Sequence, residues 1–432
     1  MNVYIASLPI FNSEMQVAAY ILSAQNASYA LNIKDDFRVK SEVYFSPELD
    51  LIDEVGIEPF AGSVPLLLEI NLFHLLTDRL NKTPHNPSSL VFILPYDIVL
   101  DNDLLERLES LKNAGFKFAI NGFPPENNDF DLLGFVSYIM LDLKSIRFKE
   151  DMRDIKKKYP DLFIIIKNVS DTYSFDRLAK DKNMLFTGDF YNQPITKGVS
   201  EISPVKFNAL KLLKMVNEED FDLENIADII ERDLALSISL LRFINTGITG
   251  KRSKIDSINK AVAFLGQKTV RQWAMIAISV SLADDRPNEI TKLSLMRAKF
   301  AENLAIIFDL AVFQNSLFMA GLFSLLDVIL EKPMEEAINE ISVDKIVHEA
   351  LVQKSGRLYE VLEFMSAYER ADWNKVSITI IRNGIDTEEV NQAFIDSLVW
   401  YHQLLEAIDS NNADKENEDT NTESNEEIKT DS

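Results

Sequence analysis

The fold class is decided by residues 90–120, which read LVFILPYDIVLDNDLLERLESLKNAGFKFAI. The run Leu90–Leu94 is apolar throughout, which is typical of a strand buried on both faces of a parallel sheet. Leucines at 104, 105, 108 and 111 then recur at spacings of three and four, which predicts an amphipathic helix that Gly115 ends. A second strand follows at 116–120. This order predicts a right-handed crossover between parallel strands.

Similar short apolar runs recur along the first 200 residues and bring the total close to eight. They lie at residues 3–6, 17–22, 66–70, 90–94, 116–120, 137–141, 163–166 and 184–187. Strands that alternate with helical stretches in this number predict a closed (β/α)8 barrel of the TIM type. About 200 residues is the short end for such barrels, so pieces could be missing. An open, doubly wound sheet is the alternative.

The pattern becomes helical after Gly198 and stays so. Asp222 is placed to cap one helix, and Ser257 opens another that ends at Gly266. Short helices of this kind pack as an irregular bundle. The last segment is too polar to bury the apolar surface that folding needs. We therefore predict a barrel at residues 1–198, a helical domain at 199–409 and a disordered acidic tail at 410–432.

Composition restricts the classes of function. The chain has 68 acidic and 44 basic residues, a formal charge of −24, and that field repels phosphate backbones and anionic lipid surfaces. The absence of cysteine excludes disulfides, thiolate metal sites and cysteine nucleophiles. The start has no leader-like pattern, and no run of about 20 apolar residues occurs. We expect a soluble cytoplasmic protein with no nucleic-acid and no membrane partner.

Three stretches of the first half resemble EAL domains. In residues 104–123 a helix leads into a strand, as it does in that family before Ala-Leu-Asp-Asp-Phe. Residues 187–194, TGDFYNQP, resemble the signature Gln-Gly-Tyr-Phe-Phe-x-x-Pro, and residues 140–142, MLD, resemble the family's Lys-x-Asp strand. EAL domains are (β/α)8-barrel phosphodiesterases of cyclic di-GMP, so the resemblance implies this barrel and this class of ligand.

The second half resembles the HDOD domain. Residues 226–247, IADIIERDLALSISLLRFINTG, resemble that family's Ile-x-x-Asp-Pro-x-Leu…Leu-Leu-Arg-x-x-Asn-Ser pattern. Residues 254–274, KIDSINKAVAFLGQKTVRQWA, resemble its Ile-x-x-Ala-Ile-x-x-Leu-Gly pattern. HDOD is similar to the helical HD hydrolase fold but is regarded as a non-hydrolytic interaction or signalling module. An EAL-like domain followed by HDOD is a known bacterial signalling arrangement.

The EAL resemblance implies a cluster of carboxylates that holds divalent cations, and most of its positions are altered. Ile21 stands at the first glutamate, Ile93 at a later carboxylate, and Gln25 at a phosphate-contacting arginine. The other altered positions are Asn121 and Gly122 at the Asp-Asp pair, Met140 at the lysine, and Lys167 and Ser170 at two glutamates. Such replacements leave no hard-cation site, so we expect neither a metal nor a cofactor.

Three polar positions of that pattern remain as vestiges of the site. Asn71 keeps the residue type of the family, Asp142 survives just beyond the lost lysine, and Asn121 replaces an aspartate with its amide. In the helical half, Ser324 and Leu325 stand where an HD hydrolase carries adjacent His and Asp ligands. None of the histidines at 74, 85, 348 and 402 has metal-ligand spacing with another. We expect those histidines to be structural or surface residues.

A concentrated basic patch stands out in this acidic chain. Its residues are Lys251, Arg252, Lys254, Lys268 and Arg271. An anionic ligand or partner segment could bind there, and a solvated loop followed by a helix end is the alternative.

The preserved fold and the lost ligands together predict a catalytically inactive EAL-HDOD signalling protein. We expect it to act by binding other signalling proteins through the helical domain. A receptor that binds cyclic di-GMP without hydrolysing it is the alternative, although the loss of the arginine at Gln25 counts against it. An enzyme with other chemistry is the third hypothesis, and it is disfavoured because no nucleophile and base, and no carboxylates, stand out as a pair.

Overall fold

The predicted strands are present, and eight of them close into a barrel. They are β1 (Val3–Phe11), β2 (Val17–Asn26), β3 (Leu66–Glu69), β4 (Leu90–Leu94), β5 (Lys117–Asn121), β6 (Tyr138–Asp142), β7 (Phe163–Lys167) and β8 (Met184–Phe186). Their order around the barrel follows the sequence and returns from β8 to β1. The predicted barrel is therefore confirmed, and the open sheet is excluded.

A computed structural model describes most of the chain. It leaves out residues 1–2, 27–45, 95–97, 99–100, 123–131, 146–147, 195–203, 219–220, 233, 246–254, 256, 284–285, 342 and 410–432. The predicted acidic tail and three members of the basic patch, at 251, 252 and 254, lie outside the described residues.

The first strand runs against the others. β1 and β2 form an antiparallel hairpin, and β1 also meets β8 in antiparallel fashion, at Phe11 and Phe186. From β2 to β8 all neighbours are parallel, as the crossovers predict. The barrel thus departs from a regular (β/α)8 pattern at its first unit, because a turn rather than a helix joins β1 to β2.

Apolar side chains fill the inside of the barrel. Every strand contributes at least one residue to this cluster, and each is at most 6% exposed. The cluster consists of Ile10, Ala19, Leu67, Val91, Ile93, Ala119, Met140, Ile165 and Leu185. The barrel therefore has a packed core rather than a channel, as is usual for eight strands.

Helices in the first half follow the strands. They are α1 (Pro47–Val55), α2 (Glu58–Ala61), α3 (Leu72–Leu76), α4 (Asn102–Asn113), α5 (Leu132–Phe135), α6 (Phe148–Lys158) and α7 (Thr172–Leu178). The Asp101 side chain caps α4 by accepting a hydrogen bond from the Leu104 N–H at 2.8 Å. Gly115, at a φ of 103°, ends the helix, and the N–H of Phe116 bonds back to the Leu111 carbonyl at 3.1 Å. This is the Schellman arrangement that the glycine predicts.

The second half is helical throughout its described residues. The α-helices are α8 (Pro204–Val216), α9 (Leu223–Glu231), α10 (Leu234–Asn245), α11 (Ile258–Leu282), α12 (Asn288–Ile307), α13 (Gln314–Leu322), α14 (Leu326–Leu330), α15 (Met334–Asn339), α16 (Lys345–His348), α17 (Gly356–Glu369), α18 (Trp373–Asn383) and α19 (Thr387–Asp409). Asp222 caps α9 as predicted. α11 is broken at Gly266, whose φ is 71°, so the predicted stop is a kink between two helical halves.

The chain forms two compact units, and neither is continuous in sequence. One comprises Met1–Gln193, Asn303–Val312 and Glu360–Ile395, and the other comprises Pro194–Glu302, Phe313–Tyr359 and Asp396–Ser432. The barrel therefore shares its unit with α18 and with parts of α17 and α19. The division at residues 198 and 199 stays a prediction about the two sequence modules.

The β1–β2 hairpin explains why those helices belong with the barrel. Pairing of β2 with β3 ends at Leu22, yet β2 continues to Asn26 beside the first residues of β1. This hairpin extension rises from the end of the barrel at which the parallel strands finish. Tyr368 and Trp373 pack against it, and Tyr4 within it is 2% exposed.

One described stretch, Ala311–Leu330, is long and apolar enough to cross a membrane, and 67% of an 18-residue apolar window within it is buried inside the protein. Core helices of folded domains meet the same criterion of length and composition. Within this stretch, Leu317 and Phe318 are at most 2% exposed.

Candidate functional site

The vestigial positions Asn121 and Asp142 lie at the mouth formed by the carboxyl ends of the parallel strands. Asn121 ends β5, Asp142 ends β6 and Lys167 ends β7. Asp142 and Lys167 are direct neighbours in the register of β6 and β7. The C-terminal mouth is the end of a (β/α)8 barrel where active sites are built, so it is the place to look for chemistry.

Apolar side chains occupy three positions that the EAL resemblance assigns to charged groups. Ile93 and Met140 belong to the cluster that fills the barrel, and each is 4% exposed. Ile21 packs against the same cluster. The upper layer of the core therefore extends to the level at which carboxylates would hold a cation.

Lys167 places an ammonium group at the mouth. Its Nζ donates a hydrogen bond to Oδ1 of Asn121 at 2.7 Å, across 46 positions of sequence. Partial burial lowers the pKa of Lys167, while the carboxylates of Asp142 and Glu69 act in the opposite direction. By the EAL resemblance, Lys167 replaces an acidic residue. The structure shows that this lysine is bonded to the vestigial residue Asn121.

Asp142 is held by hydrogen bonds rather than left open. Its Oδ2 accepts from Nδ2 of Asn168 at 2.8 Å, and its Oδ1 accepts from the N–H of Lys144 at 2.8 Å. Burial acts to raise the pKa of Asp142, but these two hydrogen bonds and the nearby Lys167 lower it below the ordinary value. The carboxylate is thus an ionised acceptor whose two oxygens are both engaged.

Asn71 serves the backbone. It caps α3, because its Oδ1 accepts from the N–H of His74 at 3.0 Å and lies 2.7 Å from Nδ1 of the same residue. His74 is 2% exposed, and burial lowers its pKa. The one position that keeps the family's residue type therefore has a local structural role here, and His74 is a structural histidine as predicted.

Glu48 is a titratable group near the hairpin extension that sequence reasoning missed. It belongs to α1, is 8% exposed, and accepts a hydrogen bond from the N–H of Ala24 at 3.2 Å. Burial raises the pKa of Glu48 to about 8, and the like charge of Glu69 adds to the rise. The sequence gives a single hint, because Glu48 directly precedes the buried Leu49 in an amphipathic helix.

The described residues at the mouth do not provide a site for a divalent cation. Mg²⁺ and its relatives need several oxygen ligands with negative charge among them. Within the ranges that the structure describes, no three His, Cys, Asp or Glu side chains lie close enough to hold a metal ion. Asp142, a carboxylate at the mouth, shares its surroundings with the ammonium of Lys167, whose charge repels a cation.

The altered HD position in the helical half is a helix contact. Ser324 donates to the carbonyl of Gly321 at 2.7 Å and accepts from Nη1 of Arg297 at 3.1 Å, while Leu325 is 2% exposed. A side chain at Gly321 would collide with the carbonyl of Arg297. These residues hold α12 close to α13. Their side chains make packing contacts and hydrogen bonds within the helical half.

Two members of the predicted basic patch lie on α11. Lys268 is exposed. Arg271 donates from Nη2 to the carbonyl of Glu218 at 2.8 Å, and its guanidinium lies 5.3 Å from the ring centre of Phe221. Arg271 thus closes the turn after α8, and ligand binding by the patch stays a prediction.

Comparison with known proteins identifies the second half of the chain. Residues 203–365 match the HDOD domain family, which confirms the predicted domain. The chain is 27% identical over 419 residues to the uncharacterized protein YuxH of Bacillus subtilis, covering 94% of this chain and 100% of YuxH. It is 25% identical over 310 residues to the cyclic di-GMP phosphodiesterase CdgJ of Vibrio cholerae, covering 71% of this chain and 72% of CdgJ.

Among solved structures, the chain is similar to the Bacillus subtilis YkuI protein, which has an EAL domain and was solved with cyclic di-GMP and calcium. The two are 12% identical, with a TM-score of 0.34, over 61% of this chain and 73% of YkuI.

Proposed function

From this EAL-HDOD arrangement, we propose that the chain is a non-catalytic signalling protein that acts by binding other proteins. The observation that carries the proposal is the hydrogen bond between Lys167 and Asn121 at the barrel mouth. An ammonium group stands among the positions that would surround a divalent cation, and it is bonded to one of them. The phosphodiesterase activity named for the relative CdgJ is therefore not expected of this chain.

The chemistry of phosphodiester hydrolysis supports this view. The metal ions of such sites polarise the phosphate and lower the pKa of the attacking water. The altered positions of this barrel carry two isoleucines, a methionine and a lysine where the EAL resemblance implies other charged groups. Asp142 keeps its charge, but both of its oxygens accept hydrogen bonds from the protein.

The fold around the mouth is maintained while its ligands are changed. Gly188 has a φ of 144°, and a side chain there would collide with the backbone of Val169. This glycine of the signature segment therefore still serves the contact between the ends of β7 and β8. A barrel that keeps its packing contacts but lacks the metal-ligating side chains supports a role in binding other proteins through its surface.

Hydrolysis of cyclic di-GMP tests the first part of the proposal. Purified full-length chain is incubated with cyclic di-GMP and either Mg²⁺ or Mn²⁺, and the nucleotide is analysed by chromatography, with CdgJ as the positive control. We expect the chain to leave cyclic di-GMP intact over a time in which CdgJ completes many turnovers. Metal-dependent hydrolysis that the substitution Asp142→Asn abolishes would overturn the proposal.

A calorimetric titration separates the alternative. We expect no heat when cyclic di-GMP is added to the chain at high micromolar concentration. Saturable binding that leaves the nucleotide intact would make the barrel a nucleotide receptor, and the signalling role would then depend on that ligand. In that event Lys167→Met should weaken the binding, because the ammonium of Lys167 is a cation at the mouth that can pair with a phosphate.

A further inference from the structure

The opposite end of the barrel carries a concentration of positive charge. β7 and β8 begin there, and the segments that lead into them are KKKYPDLF at 156–163 and LAKDKNM at 178–184. We call their lysines the basic rim. The basic rim consists of Lys156, Lys157, Lys158, Lys180 and Lys182, all of which are exposed.

Three contacts fix these two segments against each other. The N–H of Ile164 donates to the carbonyl of Asn183 at 2.9 Å, and Nδ2 of Asn183 donates to the carbonyl of Pro160 at 2.9 Å. Lys156 and Asp181 form an ion pair at 2.9 Å. The rim is therefore one surface with a defined geometry rather than two unrelated loops.

The charge of this surface is opposite to that of the chain. The two segments contain five lysines and two aspartates, whereas the whole chain has a formal charge of −24. One aspartate, Asp181, is committed to Lys156, whose hydrogen bond lowers the pKa of Asp181. Lys157, Lys180 and Lys182 form no ion pair with any residue that the structure describes.

Aromatic side chains lie beside the lysines. Phe163 is 38% exposed at the start of β7, and its ring centre lies 5.6 Å from that of Tyr138 on β6. The Lys158 ammonium lies 4.8 Å from the ring centre of Tyr159. The exposed ring of Phe163 can contact an apolar side chain of a bound segment, and the lysines around it can pair with acidic side chains of the same segment.

We propose that the basic rim binds an acidic, apolar-containing segment of a partner protein. This proposal rests on the proposed function, since it names the chemistry of a partner for a protein that acts through its surfaces. A protein segment is favoured over nucleic acid, because the formal charge of −24 on the chain repels a long polyanion along its whole length, whereas a short segment meets mainly the charge of the rim itself.

The test uses the full-length chain and a fluorescein-labelled peptide of eight glutamates around one leucine. Fluorescence anisotropy is measured in parent chain and in the triple variant Lys157→Glu, Lys180→Glu, Lys182→Glu. A matched control variant carries Lys82→Glu, Lys345→Glu and Lys354→Glu, which changes three other exposed lysines and the net charge equally. Thermal melts confirm that each variant is folded.

We expect the rim variant to weaken binding at least tenfold and the control variant less than threefold. Equal losses in the two variants, or no binding to the parent chain, would overturn the proposal. Tighter rim-dependent binding of a labelled single-stranded oligonucleotide would assign the surface to nucleic acid instead. Binding that appears only when residues 410–432 are deleted would assign it to the chain's own acidic end.

The two proposals fail separately. Hydrolysis of cyclic di-GMP by a chain whose rim still binds the peptide would overturn the non-catalytic role and leave the rim in place. An inactive chain that fails to bind the peptide would overturn the rim alone.

Discussion

The ring of Tyr4 in β1 stacks on the ring of Trp373 in α18, with 5.5 Å between their centres and 17° between their planes. Oγ of Ser377 donates to the hydroxyl of Tyr4 at 3.1 Å, and the hydroxyl of Tyr368 accepts from the N–H of Ile5 at 3.3 Å. Residues more than 360 positions apart thus form one buried aromatic and polar cluster. The hairpin extension of the barrel depends on helices from the other end of the chain.

Removing the stacked ring should destabilise the unit that contains the barrel. Trp373 is 8% exposed, so Trp373→Ala leaves a cavity beside Tyr4 and should cost about 3–5 kcal/mol of unfolding free energy. Ile378→Ala on the same helix, at a side chain 65% exposed, is the matched control and should change it by less than about 0.5 kcal/mol. Urea unfolding measures both, and equal effects would contradict the account.

The barrel sequence alone should be less stable than the whole chain. A chain of residues 1–198 lacks Tyr368 and Trp373, so Tyr4 meets water and the N–H of Ile5 loses its acceptor. We expect faster amide exchange at Ile5 than in the full chain. We also expect the barrel to unfold at a lower urea concentration than it does in the full chain. Identical exchange in the two chains would mean that the hairpin needs no cover.

The glycine of the signature segment should tolerate no side chain. Gly188→Ala forces a collision with the Val169 backbone in addition to backbone strain, so we expect a loss of at least about 3 kcal/mol. Gly384 lies in the left-handed helical region, at a φ of 64° and a ψ of 32°, but has no neighbour within 4 Å, so Gly384→Ala should lose about 1–2 kcal/mol from strain alone. Thermal unfolding of both variants checks the difference, which a similar loss in the two would refute.

Glu48 should make stability depend on pH. The folded chain holds the proton of Glu48 up to about pH 8, whereas the ordinary pKa of a glutamate is 4.5. The contribution of this proton to stability is therefore fully present below pH 4.5 and is lost as pH rises toward 8. Glu48→Gln cannot ionise and keeps an acceptor for the Ala24 N–H. We expect it to match the parent at pH 4 and to melt at higher temperature at pH 8.

The exposed Glu54 on the same helix provides the control for that measurement. Glu54→Gln should shift the melting temperature by a similar small amount at both pH values. A constant offset between Glu48→Gln and the parent across the whole range would show that Glu48 does not titrate on unfolding.

Most of the barrel could be predicted from the sequence. Runs such as Leu90–Leu94 are apolar because a strand that lies between the helices and the barrel core is buried on both faces. Asp101 and Gly115 indicate the two ends of α4, because each is a residue type that its capping position favours. The direction of β1 could not be predicted, because the apolar pattern of Val3–Phe11 is the same whichever way the strand runs.

Contacts between distant segments were beyond the sequence pattern. The residue types at Asn121 and Lys167 show that a metal site has changed, but only the closed barrel brings the two side chains within 2.7 Å. Trp373 could equally pack in the helical half or against a partner by its periodicity alone. Its place beside Tyr4 depends on the hairpin extension, which the strand pattern does not reveal.

The central claim is that the barrel mouth holds no divalent cation, and Mn²⁺ binding tests it most directly. Electron paramagnetic resonance reports free Mn²⁺ as the ion is titrated into the full-length chain, with CdgJ as a metal-binding comparison. The account predicts no stoichiometric binding, because Lys167 is bonded to Asn121 and both oxygens of Asp142 are engaged. One tightly bound Mn²⁺ per chain, lost in Asp142→Asn, would contradict it.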